Sequence, residues 1–139
     1  MKKWLGITAA ALALTFAFAP AAMAKSVVVY GPYTSHYYYD KGDTVKIWGY
    51  TTPKFKTAKD KSLKLYISRR NSSGDYYRYA VKAAKYYRSS SYSSSTRYKK
   101  SVDFNRAGHY RVHARLRWTD YKGKTHTRWS GWRYIRVTS

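Results

Sequence analysis

Tyr110-Arg111-Val112-His113-Ala114-Arg115-Leu116-Arg117-Trp118 decides the fold class of this 139-residue chain. Apolar and basic residues alternate through all nine positions. A β-strand sends successive side chains to opposite faces, so Tyr110, Val112, Ala114, Leu116 and Trp118 share one face and Arg111, His113, Arg115 and Arg117 the other. The first set suits a core. The second is a row of positive charge that folding alone does not call for. It points to a sheet whose outer side meets something negative or aromatic.

Outward from this stretch, short strand-like runs alternate with turn signals. Upstream, Arg97 to Phe104 resumes the alternation with Tyr98, Val102 and Phe104, and Asn105-Arg106-Ala107-Gly108 turns into the decisive strand. Leu63, Leu65 and Ile67 alternate with Lys64, Tyr66 and Ser68. The turn Asn71 to Asp75 follows, and then a returning strand with blurred alternation over Tyr76 to Lys82. Thr44 to Thr51 puts Val45, Ile47 and Gly49 on one face and Lys46, Trp48 and Tyr50 on the other; Pro53 ends it, and 54–61 reads as a basic loop. Ser26 to Tyr30 is a first strand closed by Gly31-Pro32. Tyr37-Tyr38-Tyr39 leads into a turn at Asp40 to Asp43. Downstream, Tyr121 to Lys124 turns the chain, and Ile135 and Val137 mark a last strand. About seven strands without helices to cover parallel pairing predict an all-β fold, an antiparallel β-sandwich.

Two motifs give this reading a family likeness. Gly42-Asp43-Thr44-Val45 entering an early strand, and Ala107-Gly108-His109-Tyr110-Arg111-Val112 entering a late one, resemble immunoglobulin-like or fibronectin type III-like domains. The resemblance implies that Tyr110 anchors a corner through its hydroxyl, and that Val112 stands where antibody domains place a disulfide cysteine. Trp129-Ser130-Gly131-Trp132 resembles the Trp-Ser-x-Trp-Ser box of cytokine-receptor fibronectin domains, with Arg133 in place of the final Ser. That likeness implies indole rings interleaved with Arg111, Arg115 and Arg117. Such a ladder either stiffens the sheet or receives a sugar or phosphate, since a stacked guanidinium keeps its edge N–H groups free.

The N-terminus reads as an export signal, with Lys2 and Lys3, an apolar stretch from Leu5 to Ala19, Pro20, and a small-x-small site at Ala22-Met23-Ala24. Trp4 to Ala24 is also long enough for an uncleaved anchor. The expected organisation is a cleaved signal helix over 1–24 and one domain over 25–139, in a secreted bacterial protein that is extracellular or held non-covalently at the cell wall. The chain carries no cysteine, so no disulfide reinforces the core. Its net charge is +22; loss of Lys2 and Lys3 leaves 26 basic residues against six aspartates, a net +20. A surface so charged attracts polyanions. All 17 tyrosines follow the leader.

Tyr86, Tyr87, Arg88, Tyr92, Arg97, Tyr98, Lys99 and Lys100 lie in a Ser-rich stretch that reads as a recognition loop or as a low-complexity linker. Catalysis finds little support. The aspartates fall in turns, loops or beside strand ends, and His36, His109, His113 and His126 follow no catalytic spacing. Asp40 and Asp43 alone are too few ligands for calcium. The sequence therefore predicts a monomeric, non-enzymatic, cofactor-free protein that binds anionic polymers of the envelope or matrix: teichoic acid, acidic polysaccharide or extracellular nucleic acid. Its contacts would be Arg111, His113, Arg115, Arg117, Trp129 and Trp132 together with the 86–100 stretch. A cationic antimicrobial or toxin acting on the anionic membranes of competitor cells is the alternative, and a protein ligand, as for an inhibitor of a wall hydrolase, is a third.

Overall fold

A computed structural model describes residues 27–52, 59–88 and 96–139, with Lys59, Asp60 and Arg88 described by their backbone alone. The expected leader, the start of the basic loop and Tyr92 lie outside the described residues. Ten strands occur among the described residues: β1 (Val28–Tyr33), β2 (Tyr38–Asp40), β3 (Thr44–Thr52), β4 (Lys59–Arg70), β5 (Tyr76–Ala83), β6 (Lys85–Arg88), β7 (Thr96–Asp103), β8 (Gly108–Thr119), β9 (Thr125–Trp129) and β10 (Arg133–Thr138). They form a four-stranded sheet in the order β1-β3-β7-β6 and a six-stranded sheet in the order β2-β10-β8-β4-β5, with β9 also paired to β8.

The inward faces of both sheets meet in one core, which makes the molecule a β-sandwich. The decisive strand behaves as its pattern demands: Tyr110, Val112, Ala114 and Leu116 are fully buried and Trp118 nearly so. Leu63, Leu65 and Ile67 from β4 and Ile135 and Val137 from β10 join them, opposite Val45 and Ile47 from β3 and Tyr98 and Val102 from β7. Each fully buried aliphatic side chain contributes about 1.5–3 kcal/mol relative to exposure. Two tyrosines are built into this apolar layer because each hydroxyl finds backbone. Tyr110 donates to the Arg106 carbonyl at 2.6 Å, the corner bond the sequence implied, and Tyr98 donates to the Tyr30 carbonyl at 2.7 Å. The Tyr98 ring lies over Gly49, where an added Cβ would fall 2.2 Å from the Tyr98 hydroxyl and 2.5 Å from the Tyr30 carbonyl oxygen. Only glycine leaves that space.

Several expectations need correction. The strand count exceeds seven because short edge pieces, β2 and β6, also pair, and because the last strand is split into β9 and β10. The sandwich is not wholly antiparallel: β2 runs parallel to β10, where the chain crosses from β1 to the other sheet before turning into β3. Arg133 helps hold that crossing, donating from Nε to Thr34 Oγ1 at 2.9 Å. β1 does not stop at Gly31-Pro32; a register shift between Tyr30 and Tyr33 carries it through, as an edge strand permits for a residue without N–H. The basic stretch 54–61 is not all loop, since β4 already begins at Lys59. Residues 86–100 are not one loop either: Lys85–Arg88 and Thr96–Asp103 are paired strands.

Candidate functional site: a cationic and aromatic ladder on the six-stranded sheet

The ladder is created by a bulge. Arg115 faces Trp129 and Val112 faces Arg133, so His113 and Ala114 of β8 stand against Ser130, Gly131 and Trp132. One extra residue on the bulged side is the defining feature of a β-bulge. Ser130 fixes it. Its backbone N–H donates to the Ala114 carbonyl at 2.9 Å, its Oγ accepts from the Ala114 N–H at 2.7 Å, and the same hydroxyl donates to the Gly131 carbonyl at 2.8 Å. The insertion changes the parity of the strand. Trp129 pairs with outward-facing Arg115 and Tyr134 with outward-facing Arg111, although five positions separate them and an unbroken strand would send them to opposite faces.

The two indoles then clamp His113. Its ring centroid lies 3.7 Å from that of Trp132, at 13° between planes, and 4.3 Å from that of Trp129, at 25°. The column continues in both directions. Beyond Trp132, the Arg111 guanidinium carbon sits 4.0 Å from the indole centroid and 4.3 Å from the Tyr76 ring on its other side. Beyond Trp129, Tyr66 meets the indole edge-on at 5.0 Å, with Arg115 at 5.2 Å and Arg78 at 5.0 Å over the Tyr66 ring. The Nε atoms of Arg111 and Arg115 are covered without a hydrogen-bond partner, beside the rings that their guanidinium groups approach.

Burial, and then the charges of Arg111 and Arg78, lower the His113 pKa to about 4, so this imidazole is neutral at pH 7. A neutral ring between two indoles avoids adding a third cation to the pair beside it. Away from the ladder, the His126 ring of β9 is hydrogen-bonded to Asp120 at the end of β8, 2.8 Å apart. Asp120 also accepts from the Lys122 and Lys124 N–H groups; the His126 contact, foremost, and these bonds hold its carboxyl below the usual range.

The expected ladder thus forms with different members. Arg111 stacks on Trp132 as expected, but His113 takes the place between the indoles that sequence reasoning gave to arginine. Arg115 lies over Tyr66 rather than over an indole, and Arg117 is exposed without a ring contact among the described residues. Trp129 and Trp132 remain 47% and 39% exposed. Tyr66, Tyr76 and Arg78 had not been singled out. The Leu63-Leu65-Ile67 alternation already placed Tyr66 outward, whereas a register shift between Ile67 and Ser68 hid the place of Arg78 opposite Ser68.

The 86–100 residues separate. Tyr98 is in the core, which removes it from the surface contacts, and Tyr86 is half-buried with its hydroxyl 2.5 Å from Thr51 Oγ1. Tyr87, Arg97 and Lys99 share the outer face of the other sheet, with Lys85 and Lys99 ammonium groups 5.5 and 5.3 Å from the Tyr87 ring centre. Lys100, partly buried, pairs with Ile47, and Arg88 ends β6 opposite Thr96. No family model matches the chain, and no curated protein matches it in sequence.

Proposed function

We propose that this is a secreted, non-enzymatic protein that binds anionic polymers of the cell envelope or extracellular matrix through the outer face of its six-stranded sheet. The observation that carries the reading is the absence of counter-charge. Arg78, Arg111 and Arg115 gather on one ladder, Arg117 extends their row, and no described carboxylate pairs with any of them. Stacking orders the guanidiniums before any ligand arrives, which reduces the entropy lost on binding. Their N–H edges suit phosphate or carboxylate oxygens. The finer fold assignment belongs to the same reading. The order β1-β3-β7-β6 against β10-β8-β4-β5 is that of strands A-B-E-D against G-F-C-C′ in immunoglobulin-like domains, and the Tyr110 corner supports it. Such a fold is a scaffold and leaves function to the site.

Retention on purified cell walls, with and without teichoic acid, at low and moderate salt tests the proposal. Strong retention at low salt that falls steeply at moderate salt is expected. Retention indifferent to salt contradicts polyanion binding, and equal retention on both wall types removes teichoic acid as the ligand.

A further inference from the structure

The outer face of the four-stranded sheet, which points away from the ladder across the sandwich, carries a row of exposed aromatic rings. Tyr30 and Tyr50 stack at 4.8 Å with 19° between planes, Tyr50 and Tyr33 follow at 6.4 Å and 23°, and Tyr33 reaches Trp48 at 6.4 Å and 43°. Three of these rings are more than a third exposed: Tyr30, Tyr33 and Tyr50. Cross-strand pairing accounts for the row, since Tyr30 faces Tyr50 and Tyr33 faces Trp48 between β1 and β3. It does not account for what lies beside the row. Next to Trp48 the surface sinks into a cavity of about 290 Å³ lined by Lys46, Arg97 and Lys99 with Tyr87. Asp103, the next outward residue after Ser101 on β7, lies diagonal to Lys46 at one side of the cavity and already accepts from the Thr44 hydroxyl at 2.5 Å.

We propose that this face is a second binding surface, and that it takes a carboxylated polysaccharide, with sugar hydroxyls on the Tyr30, Tyr50 and Tyr33 row and carboxylates in the basic cavity beside Trp48. Two features favour a saccharide over nucleobases. Bases bind by lying on open aromatic faces, but here Tyr30 and Tyr50 are stacked on one another. Stacked phenols leave their edges and hydroxyls for a ligand, and hydroxyls are the groups that a sugar ring matches. Burial, and then the neighbouring Tyr50, raise the Tyr33 pKa, so its phenol stays a neutral donor. Bound on both outer faces, the sandwich would bridge two polymer chains.

The test uses the intact protein and four probes: polygalacturonate, its methyl-esterified form, polyphosphate and oligothymidylate. Polygalacturonate should bind, and blocking its carboxylates should weaken binding about tenfold or more. Tyr33→Ala with Tyr50→Ala should cost about tenfold for polygalacturonate, the scale of one or two lost hydrogen bonds, and leave polyphosphate affinity unchanged. Lys46→Gln with Lys99→Gln gives a second variant at outward-facing strand positions that should lose polygalacturonate in the same way. Melting temperature checks that each variant is folded. The proposal is overturned if the wild type does not bind polygalacturonate, or if both folded variants bind it as the wild type does. It is also overturned if the tyrosine variant loses oligothymidylate while keeping polygalacturonate. Arg115→Gln with Arg117→Gln reports on the ladder face and should weaken polyphosphate binding, so failure of that reading shows as a folded ladder variant that keeps its polyphosphate affinity and is distinct from failure of this one.

Discussion

At the scale of single residues, the ladder makes Trp132 structural as well as exposed, and His113 structural and partly buried. Replacing Trp132 with Ala removes an indole held between Arg111 and His113, and should lower stability by about 1–3 kcal/mol, read as a drop in melting temperature. His113 gives a signature that a passive surface residue would not. The unfolded chain takes up its proton near pH 6.5, and the folded one only near pH 4. The unfolded state therefore holds the extra proton throughout that interval, and stability should fall as pH is lowered from about 6.5 to 4. His113→Phe keeps an aromatic ring between the indoles and has nothing to protonate. Melting temperatures of the two proteins at pH 7 and pH 4.5 should show a larger loss for the wild type. Equal losses would mean that His113 does not resist protonation in the fold.

At the scale of elements, the bulge between β9 and β10 is the device on which the ladder rests, and Ser130 is its fastening. Ser130→Ala leaves the buried-side Ala114 N–H without its acceptor, a cost of about 1–3 kcal/mol in place of the few tenths typical of surface substitutions. Denaturant unfolding of that variant measures it. The same element shows how far the sequence could be read. The alternation from Tyr110 to Trp118 placed every core residue of β8, because a half-buried strand imposes period two on its own sequence. Tyr110 as a corner was legible through the resemblance of residues 107–112 to immunoglobulin-like domains, and its hydroxyl does meet the Arg106 carbonyl. His113 between the indoles was not legible. Which of four successive outward residues meets the tryptophans depends on the register of β8 against β9 and β10, and one inserted residue sets it. Tyr98 had two readings, one in the alternation with Val102 and Phe104 and one among the contacts of a Ser-rich, basic loop; the space over Gly49, which belongs to a different strand, decides for the core. Gly49→Ala should therefore destabilise by several times the cost of an ordinary exposed substitution, through the clash with Tyr98 and Tyr30.

At the scale of the whole molecule, a net charge of +22 with six acidic residues leaves most cations without a partner. Among the described residues the fold sets cations on both outer faces, on either side of an apolar core, and like charges so arranged attract polyanions while discouraging self-association. The direct test of this account is the affinity for soluble teichoic acid as a function of salt, compared between the wild type and Arg115→Gln with Arg117→Gln. Counterion release makes the logarithm of affinity fall with the logarithm of salt in proportion to the charges engaged, a relation best defined for nucleic acid. The account predicts a steep fall for the wild type and a weaker, flatter dependence for the variant, which stays folded and loses in melting temperature no more than the Arg115 contact with Tyr66 is worth. A wild-type affinity that does not depend on salt, or a folded variant whose curve overlies that of the wild type, would contradict it.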